Sequence, residues 1–107
     1  MERIVSLDDL NRELKELSLK FLQNLNHRLV EIEGEIESEH WEQIAQHAHR
    51  LSGAAGSYGF SNLAMESRNL ESQALSKNRE AIQKSIRTIQ NLSQQLTETE
   101  IPEGLRQ

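Results

Sequence analysis

Residues 48–60 read Ala48-His49-Arg50-Leu51-Ser52-Gly53-Ala54-Ala55-Gly56-Ser57-Tyr58-Gly59-Phe60. Leu51 and Ala55, together with Trp41, Ile44 and Ala48 just upstream, recur every three or four residues, the spacing of a helix that buries one stripe. His49 stands roughly 100° round from Ala48, at the edge of that stripe. On its own face, within two turns, lie Ala45, Ser52, Gly53 and Gly56, none of which reaches past an imidazole ring. Glycine inside a helix costs roughly 1 kcal/mol relative to alanine, and Ala54 and Ala55 show that alanine is used where only a helix is needed. The small residues therefore serve either close helix–helix packing or a partner that comes up beside His49. Gly59 is expected to close the helix in a left-handed cap, and Ser61 to start the next one.

Upstream, Ser6-Leu7-Asp8-Asp9 resembles a capping box, a helix start. Leu10, Leu14, Leu17 and Phe21 follow at helical spacing, and Leu22, Leu25, Leu29, Ile32 and Ile36 continue it with the seam shifted by one residue. Either one wide apolar face or a short first helix bending into a long second one fits this shift, and the bend, near Leu14 to Ser18, is the favoured reading. Gly34 falls late, where a helix end tolerates it. Glu37-Ser38-Glu39 lacks apolar residues and Ser38 is a good N-cap, so a turn is expected there. Downstream, Leu63, Leu70 and Ala74 anchor a third long helix, with Ala64 and Met65 beside them. A polar link follows over 75–78. Ile82, Ile86, Ile89, Leu92 and Leu96 then share one face of a last helix, with Pro102 beyond its end. Short links between long helices make neighbours antiparallel. The expected fold is an all-α, antiparallel up-down four-helix bundle with room for a short extra N-terminal helix, formed as one domain over residues 1–107.

Composition narrows the function. The net charge of −5 over 107 residues argues against nucleic acid, which needs clustered Lys and Arg. Without cysteine there is neither a disulfide framework nor a thiolate metal site. No apolar run approaches the roughly 20 residues that span a bilayer, and the N-terminal residues lack a signal peptide's pattern, so a soluble cytoplasmic protein is expected. No metal site is expected either. His47 lies about 200° round the helix from His49, His40 and His47 are about 10 Å apart along the axis, and His27 belongs to another helix.

The run Ala48-His49-Arg50-Leu51-Ser52-Gly53, followed by Gly59-Phe60, Leu63 and later Leu70-Glu71, closely resembles the signature of the histidine phosphotransfer (HPt) domain family. That pattern is a histidine, a leucine two residues on, usually lysine then glycine, and a second glycine ten residues after the histidine. The usual lysine is Ser52 here, which removes that positive charge from beside the histidine.

The resemblance implies a phosphorelay intermediate of a two-component signalling system, a carrier without an ATP site. His49 would accept a phosphoryl group from a histidine kinase, a hybrid kinase or a response-regulator receiver domain, and exchange it with a receiver aspartate. The receiver would bring the aspartate, a lysine and a divalent cation (Mg), so no cofactor of the chain's own is expected. The chemistry suits the residue, since neutral imidazole is a good nucleophile near pH 7 and forms a labile P–N bond. Gln46 and Ser52, each about one turn from His49, are candidates to hydrogen-bond phosphoryl oxygens. Arg50 and Gly53 are the other expected neighbours, and Ala45, Gly53, Gly56 and Arg68 the expected docking face. The competing reading is a non-phosphorylated helical adaptor or inhibitor that binds a receiver or kinase.

Overall fold

The computed structural model describes residues 7–100, and these are four helices in an antiparallel bundle, with no strand among them. They are α1 (Leu7–Glu37), α2 (Trp41–Ser57), α3 (Ser61–Leu75) and α4 (Arg79–Glu100). The cap residue expected at Ser6 and the stop at Pro102 lie outside the described residues.

Each helix turns its apolar stripe inward. Leu22, Leu25, Leu29, Ile32 and Ile36 of α1 meet Ile44, Ala48, Leu51 and Ala55 of α2, Leu63, Leu70 and Ala74 of α3, and Ile82, Ile86 and Ile89 of α4, all buried. Burying a Leu or Ile side chain fully is worth roughly 1.5–3 kcal/mol, so this one core carries the fold. Trp41, Leu92 and Leu96 pack partly buried against it, and Met65 is exposed. The most extensive helix–helix contact is that of α2 with α3. Among the described residues no buried side-chain nitrogen or oxygen lacks a partner. Ser67, fully buried in α3, donates to the Leu63 carbonyl at 2.8 Å, and Ser85 of α4 donates to Gln73 of α3 at 2.6 Å.

Three short links of the same design connect the helices. In each, the middle residue has a left-handed backbone: Glu39 at φ 57°, Gly59 at φ 79° and Lys77 at φ 56°. Each link also closes with a pair of backbone bonds, such as Gly59 N–H to Gly56 O at 3.0 Å and Phe60 N–H to Ala55 O at 2.9 Å, the Schellman arrangement. Gly59 is the expected left-handed cap. Glu39 and Lys77 do the same work despite the roughly 1–2 kcal/mol that a Cβ costs there. The turn expected at 37–39 is there, but Ser38 is not the N-cap: α2 starts at Trp41 after His40, whose side chain makes no capping bond, and Ser38 lies in the link from α1. At α4 a side chain does cap, the Asn78 Oδ1 accepting from Ala81 N–H at 3.1 Å.

The bend expected near Leu14 to Ser18 is also corrected. α1 is one continuous helix of 31 residues, with no separate short helix among the described residues. Kinks need proline, glycine pairs or an interrupted hydrogen-bond ladder, and residues 7–33 contain neither proline nor glycine. The shift in seam instead puts two stripes on one continuous helix, roughly 70° apart at 100° per residue. The later stripe is core. Of the earlier one, Phe21 is half-buried and Leu10, Leu14 and Leu17 are exposed.

Candidate functional site

The α2–α3 hairpin turns about Phe60, so residues equally far on either side of it come level. His49 and Glu71 each lie eleven residues from Phe60, and the fold brings them together. The His49 Nδ1 is 3.2 Å from Glu71 Oε2 and 3.3 Å from Oε1. The imidazole is 74% exposed and the carboxylate 29% exposed. An ionised carboxylate can only accept hydrogen bonds, so the ring nitrogen that faces it carries the proton. A neutral His49 then has its lone pair on Nε2. The ring is thus held on one side and open to an incoming group on the other.

Around it an open hollow is lined by Glu42, Ala45, Gln46, His49 and Arg50 of α2 and by Glu71 and Leu75 of α3. Gln46 and Arg50, one turn before and one residue after the histidine, share this hollow with it. Ala45 lies in its floor, buried. Ser52 does not line it: the side chain is buried, and its hydroxyl donates to the His49 carbonyl at 2.7 Å. That bond spends the hydroxyl proton on the helix's own backbone, so the hydroxyl does not serve as a donor to a group on Nε2. Arg68 is exposed and, eight residues past Phe60 against eight before it, comes level with Ser52. It therefore belongs one turn along from the Glu71 end of the hollow.

Gly53 and Gly56 continue the exposed face of α2 past Arg68's level. A Cβ built at either position meets nothing within 4 Å, so neither glycine is there for close packing between helices. Of the two reasons weighed for these small residues, internal packing is removed for both. What remains is a smooth, low surface running from the hollow past His49.

Glu71 was visible in the sequence only as the second half of a leucine-glutamate pair, and neither Glu42 nor Leu75 stood out at all. The signal that finds them is the symmetry of the hairpin about Phe60. It places Glu71 opposite His49 and Leu75 opposite Ala45, fifteen residues to either side. Leu75 is 63% exposed, an apolar side chain at the rim of the hollow. Among the described residues no cluster of three His, Asp or Glu side chains could hold a metal ion, and no helix is long and apolar enough to cross a membrane.

Residues 16–100 match the family model of the Hpt domain. No curated protein and no solved structure gives a significant match to the chain.

Proposed function

The chain belongs to the Hpt domain family, which performs histidine phosphotransfer in two-component signalling, and on that premise we propose that His49 is the residue that carries the phosphoryl group, on Nε2. The observation that carries this reading is the His49–Glu71 pair, a largely exposed ring held by a carboxylate at Nδ1, which leaves Nε2 for the incoming group. The donor is the aspartyl phosphate of a receiver domain. The lone pair of Nε2 attacks phosphorus, the N–P bond forms, and the P–O bond to the aspartate breaks with its electrons leaving on the carboxylate. The proton on Nδ1 stays on the ring, which becomes cationic as the bond forms. Glu71 is then a negative charge beside a developing positive one, an electrostatic stabilisation already in place before the reaction. The reverse steps return the group to an aspartate.

Phosphoryl transfer is mostly positioning and neutralisation of charge on the equatorial oxygens. In this proposal Gln46 and Arg50 supply part of it from the hollow, since both can donate hydrogen bonds to phosphoryl oxygens. The receiver supplies the rest, including a divalent cation and a lysine. It approaches over the low face formed by Gly53 and Gly56, with Leu75 as an apolar contact at the opposite rim. A histidine kinase or hybrid kinase stands upstream in the same relay.

The test is incubation with a phosphorylated receiver domain, followed by assay for an acid-labile, base-stable phosphoryl group. The native chain and His47→Gln should label, and His49→Gln should not, with unchanged circular dichroism in all three. Labelling of His49→Gln at the native level removes His49 from the role. A native chain that binds the receiver and never labels is an adaptor instead.

A further inference from the structure

Independently of the phosphotransfer site, α1 extends past the other helices as far as these are described. Gln90 of α4 bonds Glu33 of α1 at 3.3 Å, so the antiparallel α4 ends at Glu100 about level with residue 23. The α2–α3 turn ends there too, where Phe21 packs on Tyr58 and Phe60 with ring centroids 5.2 and 6.3 Å away. The turns of α1 before this point carry Leu10, Leu14 and Leu17, exposed by 45%, 50% and 49%. With Phe21 they are spaced four, three and four residues apart, alternating a and d positions of a heptad repeat, the pattern of a coiled-coil seam. Among the described residues α2, α3 and α4 reach no further along α1 than about residues 21–23, and this seam lies beyond them.

The residues that flank it say what fits. On the side of the seam turned toward the core, Ser18 is buried, so that side is closed. On the open side, the positions just before each a residue are Glu13 and Lys20, both exposed, and neither joins an ion pair within the described residues. A helix running antiparallel with the same sequence sets Leu14 against Leu17 of the second copy and Leu10 against its Phe21. The same register puts Glu13 beside Lys20 of the second copy, and Lys20 beside its Glu13. The stripe is self-complementary in apolar spacing and in charge, which is what a two-fold interface requires. A parallel pair would instead bring Glu13 toward the buried Ser18.

We propose that residues 10–21 of α1 form a short antiparallel coiled coil with the same segment of a second copy, joining two bundles end to end. Twelve residues make a contact about 18 Å long, below the area of a standard interface, so the dimer is weak and reversible. The helix is already folded, so pairing does not bear the cost of nucleating it. His49 lies nine residues along α2 from Tyr58, about 13 Å at helical rise, and both His49 faces stay open.

Sedimentation equilibrium of the full chain, from about 10 μM to about 1 mM as suits a small interface, reads this directly. The mean mass should climb from the monomer's 12.3 kDa toward twice that value. Leu14→Glu, at an exposed site, should hold it at the monomer with unchanged circular dichroism. Glu13→Lys and Lys20→Glu should each weaken self-association about fivefold, since symmetry breaks two exposed pairs at once. An equimolar mixture of the two should associate better than either alone, because every 13–20 contact is then of opposite charge. A native chain that stays monomeric throughout overturns the proposal. If Leu14→Glu then also lowers the melting temperature, the chain's own residues 101–107 take the stripe instead. A dimer indifferent to Leu14→Glu, or a mixture no better than the single variants, overturns it as well.

Discussion

Replacing Glu71 with alanine tests whether His49 is a prepared nucleophile or merely an exposed histidine. The carboxylate sits 3.2 Å from Nδ1, and its removal takes away both the acceptor that fixes the proton there and the charge that faces the developing imidazolium. The pair is too exposed for the full Coulomb energy of two charges at that distance. Exposed pairs measure at about 0.2–1 kcal/mol, and the more sheltered carboxylate puts this one toward the upper end. At 1.36 kcal/mol per tenfold in rate, 0.5–1 kcal/mol is a loss of about two- to fivefold. Single-turnover transfer from a phosphorylated receiver, followed at saturating receiver, gives the rate of the chemical step. Glu71→Gln separates the two contributions, since its side-chain oxygen still accepts from Nδ1–H but carries no charge. It should lose rate while keeping the tautomer, whereas Glu71→Ala should lose both. Nitrogen NMR of the imidazole reads the tautomer, which a purely structural role would leave untouched. Unchanged rate and unchanged ring nitrogens in Glu71→Ala would refute the reasoning, and the contact would be a surface coincidence.

Gly53→Ala should raise the melting temperature. Its Cβ enters open space, and the gain of up to about 1 kcal/mol in helix propensity corresponds to about 4–8 °C in a domain of this size. Gly53→Leu should stay folded and slow transfer from the receiver without altering the His49 tautomer; a lowered melting temperature would make Gly53 a packing residue after all. Ser52→Ala removes only a bond to the His49 carbonyl, so phosphoryl uptake should stay within about twofold of native, as fits a change below ±0.5 kcal/mol away from the reacting atoms. A much larger loss would return the Ser52 hydroxyl to the phosphoryl site.

Much of this protein is legible in one dimension, because helical periodicity is a local property. The stripe Ile82, Ile86, Ile89, Leu92, Leu96 defines α4, and the small residues after His49 mark α2 as the helix with something to present. Gly59 is readable because only its backbone takes a left-handed cap at no steric cost. Glu39 and Lys77 take the same conformation with side chains that give no warning of it, so two of the three links could be located only approximately. The position of His49 at the edge of the buried stripe likewise follows from its number alone.

Periodicity reports the faces of a helix and is silent on what covers them. Only the packed hairpin sets Glu71 against His49, since that contact joins residues 22 apart in sequence. Only packing turns Ser52 inward, where its hydroxyl has the His49 carbonyl to satisfy. The two leucine stripes of α1 look alike in sequence, yet one is core and the other faces outward. The reason is length: among the described residues α4 and the α2–α3 turn reach only to about residues 21–23 of α1, so the same hydrophobic spacing is buried after that level and exposed before it.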